Sequence, residues 1–86
     1  MMKSEMELKD TVELMLSSDY KERFKAEYYQ TLIRYHKLRA MLKGYREGNL
    51  TFTPKCPFEI LNKQFLFMQS YLVCLNRRAK IEGIEL

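Results

Sequence analysis

The chain has 86 residues, 47% of them hydrophobic and 30% charged, with a net charge of +4. A chain of this length buries only about 60% of its unfolded surface, so a stable core calls for staples or partner subunits. Two cysteines, Cys56 and Cys74, one beside a turn and one inside a helical stretch, supply no disulfide framework. The first residues mix Glu, Lys and Asp with apolar ones, unlike a secretory leader, and no apolar run approaches the roughly 20 residues that span a bilayer. A single domain over residues 1–86 is expected, with 1–18 a short N-terminal helix and 19–86 a helical hairpin. Its expected location is a cytoplasm, with both thiols reduced.

The charge is unevenly placed. Lys3 and Lys9 stand against Glu5, Glu7, Asp10, Glu13 and Asp19 in the leader. The next stretch carries Lys21, Arg23, Lys25, Arg34, Lys37, Arg39, Lys43 and Arg46 against Glu22 and Glu27. Such a positive helix beside a negative leader points to internal pairing or to an anionic ligand.

In chain order, Ser4 followed by Glu7 has capping-box spacing, and Met6, Val12, Leu14, Met15 and Leu16 supply an apolar face for a short first helix. Ser17-Ser18-Asp19 interrupts it. Asp19 with Glu22 repeats the capping-box spacing and starts a second helix near Tyr20 that runs to about Arg46, roughly 40 Å. Gly44 weakens its last turn and Gly48 suits the C-terminal cap. Pro54 and Pro57 exclude a helix through the connection, and Pro57 fits the first turn of a third helix that ends before Gly83. Phe52 and Phe58 are expected to close the turn end.

Two seams define the hairpin. Phe24, Tyr28, Thr31, Tyr35, Leu38, Leu42 and Tyr45 alternate by four and three, and so do Leu61, Phe65, Met68, Leu72, Leu75 and Ala79. That is the spacing of helices packed nearly antiparallel. The third helix carries a second stripe, Phe67, Tyr71 and Cys74 between Gln64 and Arg78, wider than a two-helix contact uses. The first helix or a second subunit is expected to cover it. The expected fold is all-α: a short N-terminal helix, a long antiparallel hairpin, and assembly into a helical oligomer.

Catalytic constellations are missing from the pattern. His36 stands among Arg34, Lys37 and Arg39 without a nearby cysteine or an orienting carboxylate, and no Gly-rich phosphate loop exists. No enzyme, metal site or cofactor is expected. Tyr29, His36, Arg39, Lys43 and Arg46 fall at helical spacing along one face, with Tyr28 at its edge. Cations on long stems suit phosphate oxygens and tyrosine rings suit stacking on bases. A duplex-DNA reader fits less well, because neither a helix-turn-helix nor a dense basic block is present.

These residues also carry a family resemblance. Glu27-Tyr28, Leu32, Arg34, Lys37-Leu38, Met41-Leu42 and Lys43, followed by Gln64, Met68, Tyr71, Leu75 and Arg78, resemble small phage proteins related to a protein of a crAss-like phage. The pattern is similar in turn to the phage anti-CBASS sponge family, over roughly residues 20–82. The closing Ile81-Glu82-Gly83-Ile84-Glu85-Leu86 resembles the first group alone. The resemblance implies a hexamer of helical hairpins that sequesters cyclic oligonucleotide signals of bacterial defence, in the cytoplasm of an infected bacterial host.

The resemblance also implies a site. The ligand-holding tyrosine of the Glu-Tyr pair falls on Tyr28, and a lysine fifteen positions on falls on Lys43. An asparagine of the family is replaced by Tyr29, and a small hydroxyl residue by Tyr45. Arg39 and His36 join as candidates from the same stripe. Fifteen helical residues span about 22 Å, so Tyr28 and Lys43 reach one small ligand only from different subunits. The function that the resemblance implies is a sponge for a cyclic di- or trinucleotide, with no chemistry performed. The alternatives are a protein-interaction module acting on a host protein and a single-stranded nucleic-acid binder.

Overall fold

A computed structural model describes residues 6–86. A 3-10 turn, Leu8–Thr11, leads into α1, Val12–Met15; α2 spans Tyr20–Glu47 and α3 spans Phe58–Glu82. The described residues contain no strand. At 1.5 Å per residue the 28 residues of α2 reach about 42 Å, which matches the longest dimension of the molecule, 43 Å. The helix is unbroken from one end of the molecule to the other.

The ends of α2 follow from local chemistry. Asp19 is its N-cap, and its carboxylate accepts from the Lys21 amide at 2.9 Å. The other half of the expected capping box is replaced: Asp19 N donates to Ser17 Oγ at 3.0 Å, leaving Glu22 to pair with Lys25 at 3.7 Å. Gly48 closes the helix with φ of 71°, where a side chain would be strained, and Asn49 N donates back to the Gly44 carbonyl at 2.8 Å. Gly44 has a second use. A Cβ there would lie 2.8 Å from Leu50 Cδ2, so its bareness lets Leu50 fold back onto the helix. Phe58 joins that closure, its ring 5.2 Å from Tyr45 and 5.7 Å from the Arg46 guanidinium. Phe52 lines the same turn-end hollow as Gly44, Tyr45 and Leu50 but stays 55% exposed.

The expected seam is the one observed. Phe24 of α2 is buried with Leu75 and Ala79 of α3, Leu42 and Leu72 are buried further along the hairpin, and Tyr35 stacks on Phe65 with ring centres 4.7 Å apart and planes 9° apart. Pro57 precedes the first turn of α3 rather than sitting in it. It is the N-cap, with extended ψ of 149°, because a residue locked near φ of −61° serves that position as well.

The first segment differs more. It packs on the side of α2 opposite α3, where Ala26, Tyr29 and Ile33 are buried, and its backbone does not approach that of α3. Met15 and Tyr71 line one hollow, so the described part of the first segment reaches only the edge of the surplus stripe, and Phe67 and Tyr71 stay exposed. Its buried contact is Thr11, 1% exposed, whose hydroxyl donates to the Leu8 carbonyl at 2.7 Å and accepts from Gln30 at 3.2 Å. Of the expected apolar face, Val12, Met15 and Leu16 are exposed. Its capping box is formed by Glu7 and Asp10; the Ser4 expected there lies outside the described residues.

Candidate functional site

The Lys43 end of α2 is open and charged. His36, Arg39, Lys43 and Arg46 are exposed and, with Ala40 and Glu47, line a depression of about 580 Å³. Among the described residues no carboxylate pairs with Arg39 or Lys43. Glu47 is the carboxylate in the lining, and it accepts from Asn49 Nδ2 at 3.0 Å instead. Arg46 rests over Phe58. Uncompensated cations along one edge attract an anion, and Arg and Lys suit phosphate oxygens. The volume falls within the range of about 300–1,000 Å³ usual for small-molecule sites, yet every lining residue belongs to one helix. A wall on one side encloses nothing; a second wall has to come from elsewhere.

The Tyr28 end is packed. Tyr28 is half-buried against the cluster of Phe24, Leu75, Ala79 and Ile84, together with Leu86. Tyr29 meets it edge to face, with ring centres 5.4 Å apart, and is only 8% exposed. Burial pushes the Tyr29 phenol up from its ordinary value, with the neighbouring Tyr28 adding to it. Tyr29 therefore belongs to the packing under the first segment, on the same side of α2 as the cations but beneath a cover they lack. Tyr45, 37% exposed, leans on Phe58 at the turn end. The His36 ring lies 5.5 Å from Tyr35.

So the structure brings His36, Arg39 and Lys43 together, turns Tyr45 away from them into a separate hollow with Gly44, Leu50 and Phe52, and leaves Tyr28 and Tyr29 at the far end of the same straight helix. Fifteen residues of unbroken α2 separate Tyr28 from Lys43, about 22 Å.

Sequence reasoning found part of one further feature and missed a second. Ile60 and Lys63 join Gln64, Phe67, Met68 and Tyr71 in lining an apolar hollow on the outer face of α3. Ile60 is 55% exposed, Phe67 65% and Tyr71 42%, a run of apolar surface that water does not favour. Extending the four-three spacing backward from Gln64 reaches Ile60, so that residue was within reach of the pattern. The second feature is a clasp. Tyr20 donates to Glu82 at 2.8 Å, and Arg78 donates to Tyr20 at 2.6 Å and to Glu82 at 3.1 Å. The hydrogen bond from Tyr20, then that from Arg78, holds the Glu82 carboxyl below its usual range, and the same bond to Glu82 raises the Tyr20 phenol. Among the described residues no group of acidic, His or Cys side chains could hold a metal ion, and no helix is long and apolar enough to cross a membrane.

These features define a small all-α hairpin protein whose open elements are surfaces: a cationic depression on α2 and an apolar strip on α3. Residues 18–81 match the Sequestin family, and the chain belongs to that family. The family's name speaks of sequestration, a binding role rather than a catalytic one. No curated protein and no solved structure matches the chain.

Proposed function

We propose that the protein is a phage anti-defence sponge, which binds a cyclic nucleotide messenger of bacterial immunity and withholds it without cleaving it. Family membership over residues 18–81 carries the sequestering half of this reading. The unpaired cations of α2 favour a phosphodiester ligand over a neutral or cationic one. Lys43 and Arg39 take the phosphates, with His36 at the margin, and Tyr28 stacks on a base; Tyr45, turned toward the turn-end hollow, is left out of the site. Tyr29 acts by packing beside Tyr28 rather than by touching the ligand.

Because Tyr28 and Lys43 sit about 22 Å apart on one helix, the site is shared between subunits, Tyr28 from one and Lys43 from the next. The bare strip of α3 supplies surface for such an assembly, and a hexamer is the form the family resemblance favours. The place of action is the cytoplasm of the infected host cell.

Thermal unfolding with a panel of cyclic dinucleotides, cyclic trinucleotides and cyclic ADP-ribose isomers tests this. A true ligand at about a hundred times its Kd raises the midpoint on the order of 10 °C. Tyr28→Ala and Lys43→Ala each remove that rise. A panel without any shift contradicts the reading. The exposed Phe67 and Tyr71 favour one rival, a module that docks a host protein through α3; a stable monomer in solution supports it.

A further inference from the structure

The residues after α3 turn back onto the hairpin. Gly83 takes φ of 71°, and Ile84 N donates to the Ala79 carbonyl at 2.8 Å, which reverses the chain over the last turn of the helix. Ile84 is then 6% exposed and completes the cluster of Phe24, Leu75 and Ala79, against which Tyr28 and Leu86 pack. The turn is held from the α2 side too. Lys21 Nζ reaches the Gly83 carbonyl at 3.4 Å, and the Tyr20–Arg78–Glu82 clasp ties the first turn of α2 to the last turn of α3. The Arg78 guanidinium also covers the Phe24 ring at 4.9 Å. This strap lies just past the stretch matched to the Sequestin family, so family membership does not speak for it.

A tyrosine free on a helix surface samples several rotamers and loses them when a ligand orders it, at about 0.5–1.5 kcal/mol per side chain. A ring already seated on a core loses that freedom during folding instead. We propose that Ile84 and Leu86 are positioning residues for Tyr28: the strap presets the phenol ring for the ligand. This rests on the reading of Tyr28 as a ligand-stacking residue. The clasp then acts one step further away, by keeping the strap seated.

The test uses full-length protein carrying 3-fluorotyrosine, with the Tyr28 resonance assigned through Tyr28→Phe. In Ile84→Ser the Tyr28 fluorine signal moves toward that of free fluorotyrosine, while those of Tyr35 and Tyr45 stay in place. Calorimetric titration with whichever cyclic dinucleotide or trinucleotide stabilises the wild type gives an affinity about threefold to tenfold weaker, at unchanged stoichiometry. Ile84→Val restores both readouts. Should Ile84→Ser fail to fold, Leu86→Ser at the half-buried rim is read the same way. An unmoved Tyr28 signal, or an unchanged affinity in a folded strap variant, overturns the proposal while the sponge reading stands. A wild type that binds no cyclic nucleotide overturns the sponge reading, and with it any role of the strap toward a ligand.

Discussion

The two ends of α2 are built on opposite principles. At the Tyr28 end the helix is wrapped, with α3 and the strap on one side and the first segment on the other; Phe24, Ala26, Tyr29 and Ile33 are all buried. Toward the turn the first segment has ended, and the same side of α2 carries exposed His36, Arg39 and Lys43 that nothing covers. One end spends its residues on stability, and the other leaves charge unpaired. Among the described residues Arg39 and Lys43 form no ion pair, so this end of α2 offers charge to an anion.

Substitutions at the two ends separate these roles most strongly. Leu75→Ala empties a fully buried position of the wrapped end and costs about 2–5 kcal/mol in urea unfolding. Lys43→Ala changes stability by no more than about 0.5 kcal/mol, yet removes stabilisation by a cyclic nucleotide. Comparable stability losses at both positions would erase the contrast.

The apolar strip is sharpened by Phe67→Glu. The side chain is 65% exposed in the single chain, so the charge leaves helicity intact. If the strip is buried between copies, light scattering shows the particle falling to monomer mass; an unchanged mass removes α3 from the assembly. Gly83→Ala has a smaller effect. Its left-handed backbone costs a side chain about 1–2 kcal/mol, and thermal unfolding should report that loss without a change in assembly.

The smallest effect expected is on the clasp. The Glu82 carboxyl is lowered in the folded state, so its contribution is present above the unfolded carboxylate value and is lost as pH falls through the folded one. The Tyr20 phenol is raised, so its contribution is present below the unfolded value near 10 and is lost as pH rises through the folded one. The contribution of the clasp is flat near neutrality and declines slightly at both extremes. Tyr20→Phe flattens both declines, measured by unfolding at several pH values in low salt. The effect is small because these groups face water.

How much of this could be read beforehand depends on where a side chain's partner sits. The hairpin was legible because four-three spacing along α2 and α3 specifies partners that are themselves long helices. The bare stripe at Phe67 and Tyr71 was legible as a surplus. The first segment was not, because its key contact is Thr11, a polar residue buried through two hydrogen bonds, where an apolar pattern pointed to Val12 and Met15. The same gap placed Tyr29 with the cations: spacing shows that Tyr29 and His36 share a side of α2, but not that a short neighbour covers one and stops before the other. The strap was missed because a short tail has no period to read, and the clasp because its members lie 58 and 62 residues apart.

The central claim, that Tyr28 and Lys43 act on one ligand from different subunits, is tested most directly by mixing two inactive proteins. Tyr28→Ala and Lys43→Ala, each unable to bind, are denatured together, refolded, and titrated with the ligand of the wild type. In a two-fold related pair, a mixed dimer contains one site with both residues intact, so random mixing restores about one quarter of the wild-type sites. Recovery near that level is the result expected of a shared site. A mixture that binds no better than either variant alone, beside a wild type that binds, would contradict it.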